Sequence, residues 1–225
     1  MRALPLVLAG VLLGACASTQ NLAVSPDTLS SMQGKSLILV QRESPSFVAM
    51  TSGKGMFAVA GVGAAAMAGN KMVEDNEIVD PAMTISRNLA RGLAAEYGVK
   101  LRGETDVVSS DKVENLGEVA EGSDYALDVA THGWSYMYDG FNMGDYFVGY
   151  SSKLRLIDVK SGQVVSSGLC AYDAKKAGKS AVPHEALLSD NAAYIKKELA
   201  DATDLCVEEF AANLFSAPTM ASRAP

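Results

Sequence analysis

Two histidines, one tryptophan and three cysteines among 225 residues leave little for chemistry to work with. His132 and His184 stand far apart, and neither has a second His or Cys nearby to complete a metal set. His132 shares a strand face with Asp128 and Trp134, so it reads first as a structural histidine and only second as a ligand or base. No G-x-S-x-G elbow is present. Gly178-Lys179-Ser180 has the end of a phosphate-binding loop, but Asp173 occupies the position that needs the first glycine. Glu208 and Glu209 read as surface charge on a helix. These gaps argue against an enzyme and imply no cofactor and no metal. Beyond the N-terminus, no apolar run reaches the roughly 20 residues of a membrane-crossing helix. Basic residues are also short, 19 against 26 acidic, for a formal charge of −7. That balance disfavours nucleic acid or anionic lipid as the main partner.

What is present begins at the N-terminus. Arg2 precedes the apolar segment Ala3 to Leu13, and small residues follow. A positive start, a short apolar core and a small-residue exit form a secretory signal peptide. Leu13-Gly14-Ala15-Cys16 resembles the lipobox of bacterial lipoproteins. The resemblance implies cleavage after residue 15 and lipidation of Cys16, with palmitate among the acyl chains. The alternative is a signal peptide that happens to hold a cysteine and is cut elsewhere. Ala17 follows the cysteine where Asp would favour the inner membrane, so the resemblance implies an outer-membrane anchor facing the periplasm. Loss of Arg2 makes the remaining chain one unit more acidic.

After lipidation, Cys170 and Cys206 remain. Two thiols in an oxidising compartment suggest one disulfide, with two unpaired buried thiols as the alternative. Closing a loop of about 36 residues stabilises a fold by about 4 kcal/mol in the chain-entropy model.

The chain divides into a signal peptide (1–15), a lipidated cysteine with a flexible polar tether (16–33), one periplasmic domain (34–215) and a disordered tail (216–225). Ser36 to Val40 is a continuous apolar run and reads as a strand buried on both faces. Gly53 to Gly69 is almost wholly Gly, Ala, Val and Met. It reads as a tightly packed small-residue helix or glycine loop. The other reading is a segment that inserts in a membrane or meets a second subunit, extending over 53–72. Asp80-Pro81 starts a helix that Gly98 ends, with Ile85, Leu89 and Leu93 on one face. A short strand is expected over 106–109, and a weaker helix over 111–121 with Val113, Leu116 and Val119 inward.

From Tyr125 the pattern turns to period two. Strands at 125–138, 146–159 and 163–172, separated by turns at Asp139–Asp145 and Lys160-Ser161-Gly162, predict an antiparallel meander. On the second strand, Lys153 and Arg155 face away from Val148, Tyr150, Leu154 and Leu156. Ser189-Asp190 caps a last helix with Ile195, Leu199, Ala202, Cys206, Phe210 and Leu214 on one stripe. The order predicts an α+β fold: a mixed sheet with a C-terminal three-stranded antiparallel meander and helices packed on it.

The hairpin over 146–168, with Leu154-Arg155-Leu156-Ile157-Asp158 followed by Ser161-Gly162-Gln163-Val164, resembles periplasmic lipoproteins of the CsgG, LpoB and TolB-N-terminal-like group. In order of elements the likeness covers 84–173. It implies a domain that serves assembly of an envelope machine, and no catalytic motif comes with it. Seven of the fifteen aromatics fall between Trp134 and Tyr150. Cross-strand aromatic pairs that stabilise a sheet are one explanation. The other is a contact surface for an envelope protein or glycan, made by Trp134, Tyr136, Tyr138, Phe141, Met143, Tyr146 and Phe147. The sequence therefore points to a non-catalytic outer-membrane lipoprotein acting as a binding or assembly module. Its alternative is an oligomeric pore or secretion-channel subunit built on the Gly/Ala segment.

Overall fold

The computed structural model describes residues 21–55 and 58–215. The signal peptide, Cys16 and the tail at 216–225 lie outside the described residues. The tether expected over 16–33 does not extend through its described part. Leu22 pairs antiparallel with Ser167, its N–H donating to the Ser167 carbonyl at 2.8 Å and its own carbonyl accepting at 3.0 Å. Val24 and Met32 are buried. Helix α1 (Pro26–Ser31) is capped by Ser25, whose hydroxyl accepts from the Thr28 N–H. Apolar side chains spaced among polar neighbours bury themselves here, and Ser25-Pro26 is a helix start that polar composition masked.

Strand β1 (Ser36–Val40) runs as expected, and β2 (Val48–Met50) follows a proline-broken loop. A single turn, α2 (Ser52–Gly55), precedes α3 (Ala58–Asp75), so the Gly/Ala segment is largely helix. It lies hard against β2: a Cβ at Gly69 would stand 1.9 Å from the Phe47 carbonyl oxygen. Among the described residues, no helix is long and apolar enough to cross a membrane.

Helix α4 (Pro81–Tyr97) has the expected ends, with the Asp80 carboxylate accepting from the Ala82 N–H and Gly98 left-handed at φ 67°. The next strand is displaced from expectation. It is β3 (Lys100–Glu104), whereas Val108 makes one isolated bridge to Arg42. All five β3 residues are exposed, so no buried alternation marks it in the sequence. The short helix α5 is Val113–Val119; Leu116 points inward as expected, but Val119 is exposed.

The meander is β4 (Tyr125–Tyr138), β5 (Asp145–Asp158) and β6 (Gln163–Asp173), paired antiparallel throughout. A short β7 (Val182–Pro183) pairs with the start of β5. The result is a seven-stranded mixed sheet, ordered β3-β1-β4-β5-β6, with β2 beside β4. Helix α6 (His184–Leu214) is broken by non-helical backbone at Ser189–Ala192, so its long segment begins close to the expected cap. All six expected stripe residues are buried. The disulfide joins Cys170 on β6 to Cys206 on α6, tying helix to sheet.

Helices α4 and α6 cover one face of the sheet. Half of the other face carries a smaller core of Val40, Ala126 and Ile157 beneath Leu116 and Ala120. Arg155 lies on this face, opposite Leu154 and Leu156 as the alternation implies, and the cover takes it inside. Its guanidinium is buried, donating to Asp128 Oδ2 from Nε at 2.9 Å and Nη2 at 2.6 Å, and to the Asp111 carboxylate at 2.8 Å. Asp128 is wholly buried, so its charge is stable there only because it is paired.

Candidate partner-binding surface

The aromatic stretch begins with a bulge. Thr131 pairs with Ser152 and Gly133 with Ser151, so His132 is an extra, exposed residue on β4. One added residue reverses the phase of every side chain after it. Trp134 and Tyr136 therefore join the core face used by Tyr125, Leu127 and Val129 before the bulge. His132 consequently shares no packed face with Asp128 and Trp134.

Three members of the expected contact surface are corrected: the shift turns Trp134 and Tyr136 inward, and Tyr146 shares the inward face of Val148 and Tyr150 on β5. Trp134, Tyr136 and Tyr146 are no more than 5% exposed and belong to the core. Trp134 stacks edge-on to Phe47 at 5.3 Å and donates its indole N–H to the Pro45 carbonyl at 2.8 Å. Tyr136 meets Tyr146 edge-on at 5.6 Å, and its hydroxyl lies 3.1 Å from His184 Nε2. Burial, with the Tyr146 hydroxyl adding to it, pushes the Tyr136 phenol up to about 12. His184 is thus a half-buried partner of two tyrosines.

The other members stay at the surface. Tyr138 and Phe147 are half-buried, Met143 is 61% exposed and Phe141 is 95% exposed. Phe141 is nevertheless held in a built turn. The Asp139 N–H donates to the Asp145 carbonyl at 2.7 Å, and the Asn142 amide donates to the Asp145 carboxylate at 2.6 Å. Lys175, which the sequence pattern did not single out, completes the arrangement. Its ammonium donates to Asp139 at 2.9 Å and lies over the rings of Phe141 and Phe147 at 5.2 and 5.4 Å. That hydrogen bond holds the Asp139 carboxyl below its ordinary range. Strand β7 braces the base by pairing with Asp145 and Tyr146.

Behind the tip, no helix among the described residues lies on this part of the sheet face away from α4 and α6. Gly133, Ser135, Gly149 and Ser151 pair across β4 and β5 to form a floor of small residues. An open trough of about 690 Å³ lies over it, walled by Val48, Met50, Val62, Met137 and Phe147. Glycine and serine carried no hydrophobic signal, so only the strand pairing brings this concavity together.

No protein-family profile matches the chain, and no curated protein matches it in sequence. Solved structures are similar to it in part. A PelC dodecamer from Paraburkholderia phytofirmans is 15% identical over 86% of this chain and 94% of that one, with a TM-score of 0.38. The LpoB C-terminal domain from Salmonella enterica is 13% identical over 63% of this chain and 84% of that one, at 0.25. Lipoprotein GNA1162 from Neisseria meningitidis is 18% identical over 74% of this chain and 99% of that one, at 0.26. Among the described residues no group of three His, Cys, Asp or Glu side chains is placed to hold a metal ion. The tip offers apolar area and one ring-stacked cation, which suits binding.

Proposed function

We propose that this chain is a non-catalytic lipoprotein, anchored to the outer membrane through Cys16 and facing the periplasm, that docks an envelope protein partner through the β4–β5 hairpin tip. Support for the anchor is the lipobox-like Leu13-Gly14-Ala15-Cys16. The observation that carries the docking role is Phe141: a large apolar ring, 95% exposed, on a turn fixed by side-chain hydrogen bonds. Fixing an exposed apolar group in advance lowers the entropy cost of association, which is what a contact residue needs. Met143 and the Lys175-covered Phe147 extend the same surface.

The experiment places a photo-crosslinking residue at position 141 in intact cells and compares it with one at exposed Val79. A discrete protein adduct at 141 alone is expected. Phe141→Ala with Met143→Ala should abolish that partner's co-purification and leave stability within about 0.5 kcal/mol of the parent. Trp134→Ala should instead cost about 3–5 kcal/mol, because it empties a core site. Unchanged co-purification by the tip variant would refute docking there, and a mature N-terminus other than lipidated Cys16 would refute the anchor.

A further inference from the structure

The same side of the sheet continues past the trough to the edge where Leu22 pairs with β6. Leu22 stands opposite Ser167, and Leu169 lies two residues further along β6, so both side chains share one side of the sheet. Lys153 pairs with Leu169 across β5 and lies on that side too. Leu22 is 45%, Leu169 49% and Met137, on the trough wall, 53% exposed. Three ammonium groups border this face. Lys153 approaches Asp111 at 3.8 Å, Lys175 is held by Asp139, and Lys176 makes no ion pair among the described residues. Among the described residues, Asp173 is the one carboxylate that lines the trough.

We propose that this face rests against the headgroup region of the bilayer that carries the anchor, with Leu22, Leu169 and Met137 in the interface and Lys153 and Lys176 at the phosphates. The proposal rests on the reading of Cys16 as lipidated. Four residues lie between Cys16 and Asn21, five chain steps with a reach of at most about 18 Å. Asn21 is fixed to this same edge, its side-chain carbonyl accepting from the Leu169 N–H at 3.2 Å. The anchor therefore stays within that reach of Asn21 and its neighbours Leu22 and Leu169, and the folding of Leu22 onward leaves no longer tether. Amphipathic surfaces of this kind, apolar residues rimmed by lysines, suit the boundary between headgroups and acyl chains.

The test uses the purified lipidated protein in vesicles of phosphatidylethanolamine with a minority of phosphatidylglycerol. Lysines are labelled with a water-soluble acylating reagent, and each is compared with itself in a Leu22→Glu, Leu169→Glu, Met137→Glu variant bearing the same lipid. Lys153 and Lys176 are expected to label several-fold more slowly in the parent, with Lys71 and Lys100 equal in both. Met137→Glu alone serves if the triple variant loses its thermal transition. Retention on vesicles with uniform labelling overturns the face and leaves the anchor standing. Failure to stay on vesicles, with no lipid at Cys16, overturns the anchor and the proposal with it. Protection that grows with protein density on the membrane marks a second copy on this face and overturns the lipid assignment.

Discussion

Asp124 sits where β4 begins and ties that strand to β1. Its Oδ2 accepts from the Ser36 N–H and hydroxyl, both at 2.8 Å, and its Oδ1 accepts from Lys35 at 3.1 Å. The Ser36 backbone bond is the largest cause that brings this carboxyl down to about 2 from 3.8. A carboxyl depressed in the fold adds stability above its unfolded value, and that stability is lost as pH falls toward about 2. The side chain is 40% exposed, so solvent screens much of the effect. Asp124→Ala should therefore cost about 1 kcal/mol at neutral pH and nearly nothing by about pH 2. Denaturant titrations of both proteins across that range check this; a cost that does not change with pH would refute it. The pairing behind it could not be read beforehand, because Asp124 and Ser36 are distant in sequence and meet only across a parallel ladder.

At the scale of elements, helix α3 shows how one residue type carries opposite meanings. Gly69 is pressed on the Phe47 carbonyl, whereas a Cβ at Gly63 would meet nothing within 4 Å. Gly69→Ala should force helix from strand and cost about 1–3 kcal/mol. Gly63→Ala should instead gain up to about 1 kcal/mol, since alanine only improves an open helical site. Thermal midpoints of the two variants, moving in opposite directions, check the packing; the same sign for both would refute it. The small-residue composition of 53–69 suggested close approach to another backbone without naming it; Gly69 meets Phe47 and Ala49 at β2, and Gly61 meets Lys54 in α2. The hairpin teaches a related lesson. Alternation through Trp134 and Tyr136 was visible, but the bulge at His132 was not, and one residue decides which side of the sheet those rings occupy. Helix α4 was legible at both ends because Asp80-Pro81 and Gly98 act locally, through a side-chain cap and a left-handed residue. Strand β3 was invisible because an exposed edge needs no apolar pattern.

For the whole molecule, the disulfide links the last strand of the meander to the last helix across 36 residues, with both cysteines buried. Its reduction should lower stability by about 2–4 kcal/mol, and thiol reagents should label neither cysteine in the native protein. Melting with and without reductant, together with labelling before and after unfolding, tests this; equal midpoints would show that the bond adds nothing. By itself the sequence determined the α+β layering, the meander, the helix α4 with its caps and the stripe on α6, because periodicity and local caps act over a few residues. Tertiary structure alone decided that Leu22 to Met32 belong to the fold, that Arg155 goes inside with Asp128, and that half of the aromatic cluster is core. Each of those depends on what covers a face, and a face is covered by residues far away along the chain.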